Sequence, residues 1–150
     1  DCLLSRGLGD VYKRQIFNRK DEFFANAEKT VEKITAADLS CKVSVTDLAD
    51  EEALKAAIAQ TDILVNATKV GMAPLDGQSL IKKEYLRSDL VVADTVYNPK
   101  DTQMILDAKE AGCKAAVGGI GMLLWQGVAA FKLFTGKDMP HEEVFEKFFA

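Results

Sequence analysis

Asn18-Arg19-Lys20-Asp21 places a carboxylate and two cations in one short polar turn. A carboxylate in such a turn can accept hydrogen bonds from the two hydroxyls of a ribose, while an arginine can accommodate a phosphate on that sugar. Both residue types are present, and a helix N-terminus with solvated charges would use the same ones. Asn66-Ala67-Thr68-Lys69-Val70-Gly71-Met72 closes an apolar run with small and polar groups. Its Asn and Thr can meet a ligand or satisfy nearby backbone. In Thr95-Val96-Tyr97-Asn98-Pro99, the proline restricts Asn98 to an extended backbone. Tyr97 then reaches across a cleft or packs over a sheet edge with its hydroxyl wet. The glycines of Gly118-Gly119-Ile120-Gly121-Met122 let backbone approach a flat ring closely. Gln126 follows Met122 by one helical turn, so both can face one cleft. For Leu123, Leu124 and Trp125, core packing is the ordinary meaning.

The elements that must position these residues alternate between strand and helix. Ile16-Phe17 reads as the tip of a strand. Residues 22–36 carry Phe23, Phe24, Ala27, Val31 and Ile34 at near-helical spacing, with Asp21 able to cap them. Residues 41–45 alternate as a short strand, and Asp47 or Asp50 precedes a helix over residues 51–60. Residues 62–66 form an apolar strand of the kind buried on both faces of a parallel sheet. A loop over 67–78 and a short helix near 82–87 lead to a second buried strand over 90–96. Residues 102–111 are helical and stop at Gly112. A strand over 114–117 leads to a helix over 122–134 ending at Gly136, and residues 141–149 form a last amphipathic helix. This order predicts an α/β fold with a doubly wound parallel sheet. The three polar stretches after strands then fall at its carboxyl edge, where ligands bind in such sheets.

The 150 residues suffice for a single core, and 48% hydrophobic with 28% charged residues is the balance of an ordinary globular domain. A net charge of −4 argues against a nucleic-acid or membrane-surface role. No apolar stretch reaches the roughly 18 residues that span a bilayer. Cys2, Cys41 and Cys113 are odd in number and far apart, which fits neither a disulfide framework nor a metal site. Cys41 and Cys113 read as buried, inert thiols, and His141 as a solvated residue at a helix start. A cytoplasmic setting fits these features.

Gly7-Leu8-Gly9 invites reading as a phosphate-binding loop, but Tyr12 occupies the position where a third glycine must admit a close helix–strand approach. The stretch before Asn18 is also too short for a helix and the next strand, which need about twenty residues. Asp10-Val11-Tyr12-Lys13-Arg14-Gln15 matches one reading frame of a transposon end used to build sequencing libraries. Residues 1–15 are therefore expected to be a non-native or disordered leader, and residues 16–150 a partial dinucleotide-binding domain.

From near Ile16 to its end the chain resembles the C-terminal half of the shikimate/quinate dehydrogenase family. The resemblance implies a Rossmann-like NAD(P)-binding domain that lacks its first βα unit, leaving a sheet edge unpaired. It implies cofactor contacts at Asn18, Arg19, Lys20, Asp21, Asn66, Thr68, Lys69, Thr95, Val96, Tyr97, Asn98, Gly119 and Met122, and substrate contacts at Tyr97 and Gln126. Asp21-Glu22-Phe23-Phe24 and Lys69 are similar to the quinate/shikimate branch, which accepts NAD, so NAD is slightly favoured over NADP and dual use stays open. Gly118 departs from the Asp or Asn common before the family's glycine.

The implied reaction is reversible hydride transfer between shikimate or quinate and the 3-dehydro compound. The family's proton-transferring Lys/Asp pair lies on its N-terminal substrate domain, and nothing here matches that domain. No catalytic residue or metal site is therefore expected in this chain, which alone should be inactive; the parent protein could form a homodimer. The last helix would pack on that other domain, so Phe145, Phe148 and Phe149 should form an exposed apolar patch. A non-catalytic dinucleotide-binding or sensor module is the alternative. A glutamyl-tRNA reductase relative fits residues 121–127 less well.

Overall fold

The computed structural model describes residues 13–37 and 40–149. Most of the expected leader, with Gly7-Leu8-Gly9 and Cys2, lies outside the described residues. The chain divides into two compact units that part between Gln60 and Thr61.

In the first unit, β1 (Lys13–Asn18) pairs in parallel with β2 (Lys42–Asp47), from Lys13 opposite Lys42 to Asn18 opposite Asp47. The strand thus starts at Lys13 rather than Ile16. Ladder bonds come from the backbone, so β2 can pair with any neighbour that keeps its N–H groups, whatever its side chains. Helix α1 (Phe24–Ala37) links the strands and packs on both, yet buries no residue fully. Asp21 Oδ1 accepts from Phe23 N at 3.0 Å, as expected of a residue before a helix. Asp50 caps α2 (Glu51–Ile58) by accepting from Ala53 N at 3.0 Å, and α2 buries Leu54, Ala57 and Ile58.

The second unit holds three parallel strands in the order β3 (Ile63–Asn66), β4 (Val91–Asp94) and β5 (Ala115–Val117). A 3-10 turn at Lys83–Tyr85 stands where a short helix was expected. Helix α3 (Gln103–Glu110) joins β4 to β5, packs on both, and ends at Gly112 with φ +69°. The core gathers here: Leu90, Val92 and Ala108 are wholly buried, with Met104 and Ile105 beside α3's inner face. Central β4 meets the expectation of a buried strand, but β3 does not, since Ile63 is 43% exposed. Among the described residues β3 pairs only with β4, so its outer side lacks a strand neighbour.

Helix α4 (Ile120–Thr135) begins at Ile120, so Gly121 is already helical and Gly119 is the cap residue. Gly136 closes it in the left-handed region, and α5 (His141–Phe148) packs against it. Leu124 is buried, but Trp125 is exposed rather than core and its ring lies 4.9 Å from that of His141. The histidine is therefore half-buried beside an indole instead of freely solvated. Phe145 and Phe148 are exposed, together with Leu133 and Phe134, while Phe149 is half-buried. Cys41 is buried as expected; Cys113 is half-buried, and desolvation raises its thiol pKa.

Candidate functional site

The residues singled out in the sequence fall into two groups, one in each unit. In the first unit, Arg19, Lys20, Asp21, Asp47 and Ala49 line an open cavity of about 350 Å³ at the carboxyl ends of β1 and β2. Asn18 is the last residue of β1 and its carbonyl accepts from Leu48 N at 2.9 Å, which ties the two strand ends together. Asp21 uses Oδ1 on Phe23 N, and its Oδ2 lies 3.6 Å from Arg19 Nε. Asp47 has the same build: its Oδ1 accepts from Ala49 N at 3.0 Å. One oxygen of each carboxylate is thus held by backbone two residues on, which fixes how the other is presented. The cavity therefore offers cations for phosphate and carboxylates for hydroxyl or amine donors.

In the second unit the parallel register sets Asn66 opposite Asp94 and Ala93 opposite Val117. The loops after β3, β4 and β5 therefore leave from one sheet edge. They carry Thr68 and Lys69, then Thr95 to Asn98, then Gly119, with Met122 in the first turn of α4 and Gln126 one turn further along. Thr68, Lys69, Tyr97, Asn98, Met122 and Gln126 are exposed, while Asn66, Val96 and Gly119 are buried.

The buried positions owe their places to a hydrogen-bond network. Asn66 Nδ2 donates to Asp94 Oδ1 and to Val70 O, both at 3.0 Å. Its Oδ1 accepts from Thr68 N at 3.0 Å and Thr68 Oγ1 at 2.8 Å. Two donors and two acceptor sites are the whole capacity of a carboxamide. The Asn66 side chain therefore has its hydrogen-bond capacity filled within the chain, and those bonds shape the loop after β3. Thr68 Oγ1 also accepts from Val70 N at 3.1 Å.

Asp94, 4% exposed, is the hub. Its Oδ1 also accepts from Val96 N at 2.9 Å, and its Oδ2 from Thr102 Oγ1 at 2.6 Å. By taking the Val96 N–H the carboxylate draws the chain out of the ladder, so β4 stops at Asp94 and not at Val96. Thr102, buried just before α3, joins that helix to the same hub. Asp94, Thr102 and Asp47 were all missed as site residues. The available signal was an acidic residue ending a strand, which appears at both Asp94 and Asp47.

Gly119 is required by the backbone packed around it. Its N donates to Val96 O at 3.0 Å, and a Cβ there would meet the Thr95 carbonyl and stand 2.6 Å from Val96 O. Backbone from two strand ends occupies the space a side chain needs. At Gly118 the obstacle is Lys100 O, 2.9 Å from a Cβ. Pro99 and Pro74 both follow cis peptide bonds. Around this edge Met72, Tyr97, Val117 and Met122 expose apolar surface, which suits a flat ring.

Parallel strands joined by helices, with glycine and polar loops at their carboxyl edge, define a Rossmann-like dinucleotide-binding fold. Comparison with known proteins narrows the class. The Shikimate 5'-dehydrogenase C-terminal domain family matches residues 119–147. The shikimate dehydrogenase (NADP(+)) of Streptococcus uberis is 55% identical over 135 residues, which cover 89% of this chain and 45% of that protein. The shikimate 5-dehydrogenase of Listeria monocytogenes, solved with shikimate and NAD, superposes with a TM-score of 0.88 at 44% identity, over 97% of this chain and 50% of that one. Quinate dehydrogenase from Corynebacterium glutamicum, solved with NAD, gives 0.77 at 29% identity, over 97% and 48%. The chain belongs to the shikimate/quinate dehydrogenase family. It spans about half the length of the relatives it matches.

Proposed function

We propose that this chain is the NAD(P)-binding part of an enzyme that transfers a hydride reversibly between shikimate or quinate and the 3-dehydro compound. The observation that carries this reading is the shared edge of β3, β4 and β5, where the Thr95-Val96 and Gly119 backbones interlock and the elements that leave it bear the exposed Tyr97, Met122 and Gln126. A bound nicotinamide cofactor would supply the hydride chemistry. In this reading Met122 and the Val96 and Gly119 backbone form the surface for the ring, with Thr68, Lys69, Thr95 and Asn98 around it. Tyr97 and Gln126 bind and orient the substrate through its carboxylate and hydroxyls. Asn18, Arg19, Lys20 and Asp21 take the adenosine end, and Asn66 acts by holding its loop.

Shikimate dehydrogenases among the relatives are named for NADP(+), while two solved neighbours carry NAD and another NADP+. Asp21 supports NAD, since its carboxylate suits ribose hydroxyls and repels a 2′-phosphate; Arg19 and Lys20 keep NADP within reach. Removal of the hydroxyl proton needs a positioned base. We assign that step to a Lys/Asp pair in the half of the relatives that this chain does not match. The same half is the natural cover for the apolar face of α4 and α5. A homodimeric parent protein in the cytoplasm completes the reading. Among the described residues no helix is long and apolar enough to cross a membrane.

The test joins the unmatched half of the Listeria monocytogenes enzyme to residues 16–150 of this chain. Shikimate-dependent reduction of NAD is expected from the chimera and none from the chain alone. A folded chimera that binds shikimate yet never reduces NAD or NADP would overturn the proposal.

A further inference from the structure

Asp47 has no role in the reading above, although it lines the same cavity as Asp21. The register puts it opposite Asn18, one strand further out than the turn that would read the ribose. Adjacent strands are about 4.8 Å apart, so the group on β2 meets what lies beyond the sugar, which is the base. Resting on the adenosine reading of this cavity, we infer that Asp47 is the specificity-determining residue for the base and selects adenine by accepting from its exocyclic amine.

The chemistry is one-sided. Asp47 Oδ1 is committed to Ala49 N, and an ionised carboxylate can only accept. Its remaining oxygen complements the amine of adenine and opposes the carbonyl that hypoxanthine carries at the same place. Ala49, small and exposed, leaves room for a planar ring beside the carboxylate, and the exposed Arg19 guanidinium can stack on the ring face.

The experiment titrates the chain with 5′-AMP and 5′-IMP, following the backbone amide signals of residues 18–21 and 47–49. The two nucleotides share sugar and phosphate, so electrostatic attraction to Arg19 and Lys20 cancels in their ratio. AMP is expected to bind about tenfold more tightly than IMP, as one charge-assisted hydrogen bond at a partly wet site allows. Asp47→Asn keeps the oxygen for Ala49 N but turns the second group into a donor, so the preference should shrink to parity or invert. Equal affinities in the parent chain, or an unchanged ratio in the variant, overturn the assignment while leaving an adenosine site in place. Absence of any shift with either nucleotide overturns the adenosine reading and the assignment with it.

Discussion

The two units fold the same alternating pattern to different depths. In the second, three strands give β4 neighbours on both sides, and Leu90, Val92 and Ala108 lose all contact with water. In the first, two strands pair alone among the described residues, and α1 covers them without fully burying a residue. A parallel sheet needs neighbours at its edges and cover on its faces, and three strands are near the least that stand unaided. The better-buried unit also holds the polar hub at Asp94, whereas the cavity at the carboxyl ends of β1 and β2 is open. Burial makes each hydrogen bond of the Asp94 network count for more, and makes any loss from it costly.

The strongest way to break this contrast is Asp94→Ala. It strands the Asn66 amide, the Val96 N–H and the Thr102 hydroxyl in a dry site, which should cost about 4 kcal/mol. Native-state hydrogen exchange should then show protection lost in β3, β4 and α3 but kept in β1 and β2. Equal loss in both units would mean that they unfold as one. Ile105→Ala should cost about 3 kcal/mol through the cavity it leaves, while Val31→Ala on the half-buried face of α1 should cost less than about 1 kcal/mol. Denaturant midpoints that moved equally would remove the contrast.

A smaller effect of opposite sign is expected at Gly127, inside α4 with nothing near the place of a Cβ. Gly127→Ala should stabilise by about 0.5–1 kcal/mol, seen as a higher melting temperature.

The smallest effect concerns pH at the end of α4. Lys132 Nζ lies 2.8 Å from Asp138 Oδ1, which lowers the carboxyl pKa and raises that of the ammonium. The carboxylate's share of stability is present above its unfolded pKa and lost as pH falls through the lowered folded value. The ammonium's share is present below its unfolded pKa and lost as pH rises through the raised folded value. Lys132→Met should therefore flatten both limbs of the stability–pH curve slightly, and limbs that stay unchanged would show that the exposed pair contributes nothing.

Much of the architecture was legible along the chain, because helix and strand are local. The spacing of Leu54, Ala57 and Ile58, the apolar run before Asp94, and the glycines after α3 and α4 each announce an element or its end. The candidate turn Asn18 to Asp21 and the three carboxyl-edge loops were legible for the same reason: polar residues that follow a buried strand have one edge to occupy. Boundaries were harder. Lys13 to Gln15 join β1 through backbone pairing that no side chain advertises, and β4 is cut short by the side chain of its own last residue.

The sequence alone determined the order of elements, the edge on which the polar loops lie, and the charge of the turn after β1. Only the tertiary structure decided what each polar group does. Asn66 and Asp94 stand 28 residues apart, yet they bond to each other, and with three local bonds this fills the hydrogen-bond capacity of the amide. Gly119 is glycine because the backbone after another strand fills the space a side chain would need. Periodicity and turn chemistry act within a few residues of the chain, whereas hydrogen-bond capacity and excluded volume are shared among segments that meet only when the sheet forms.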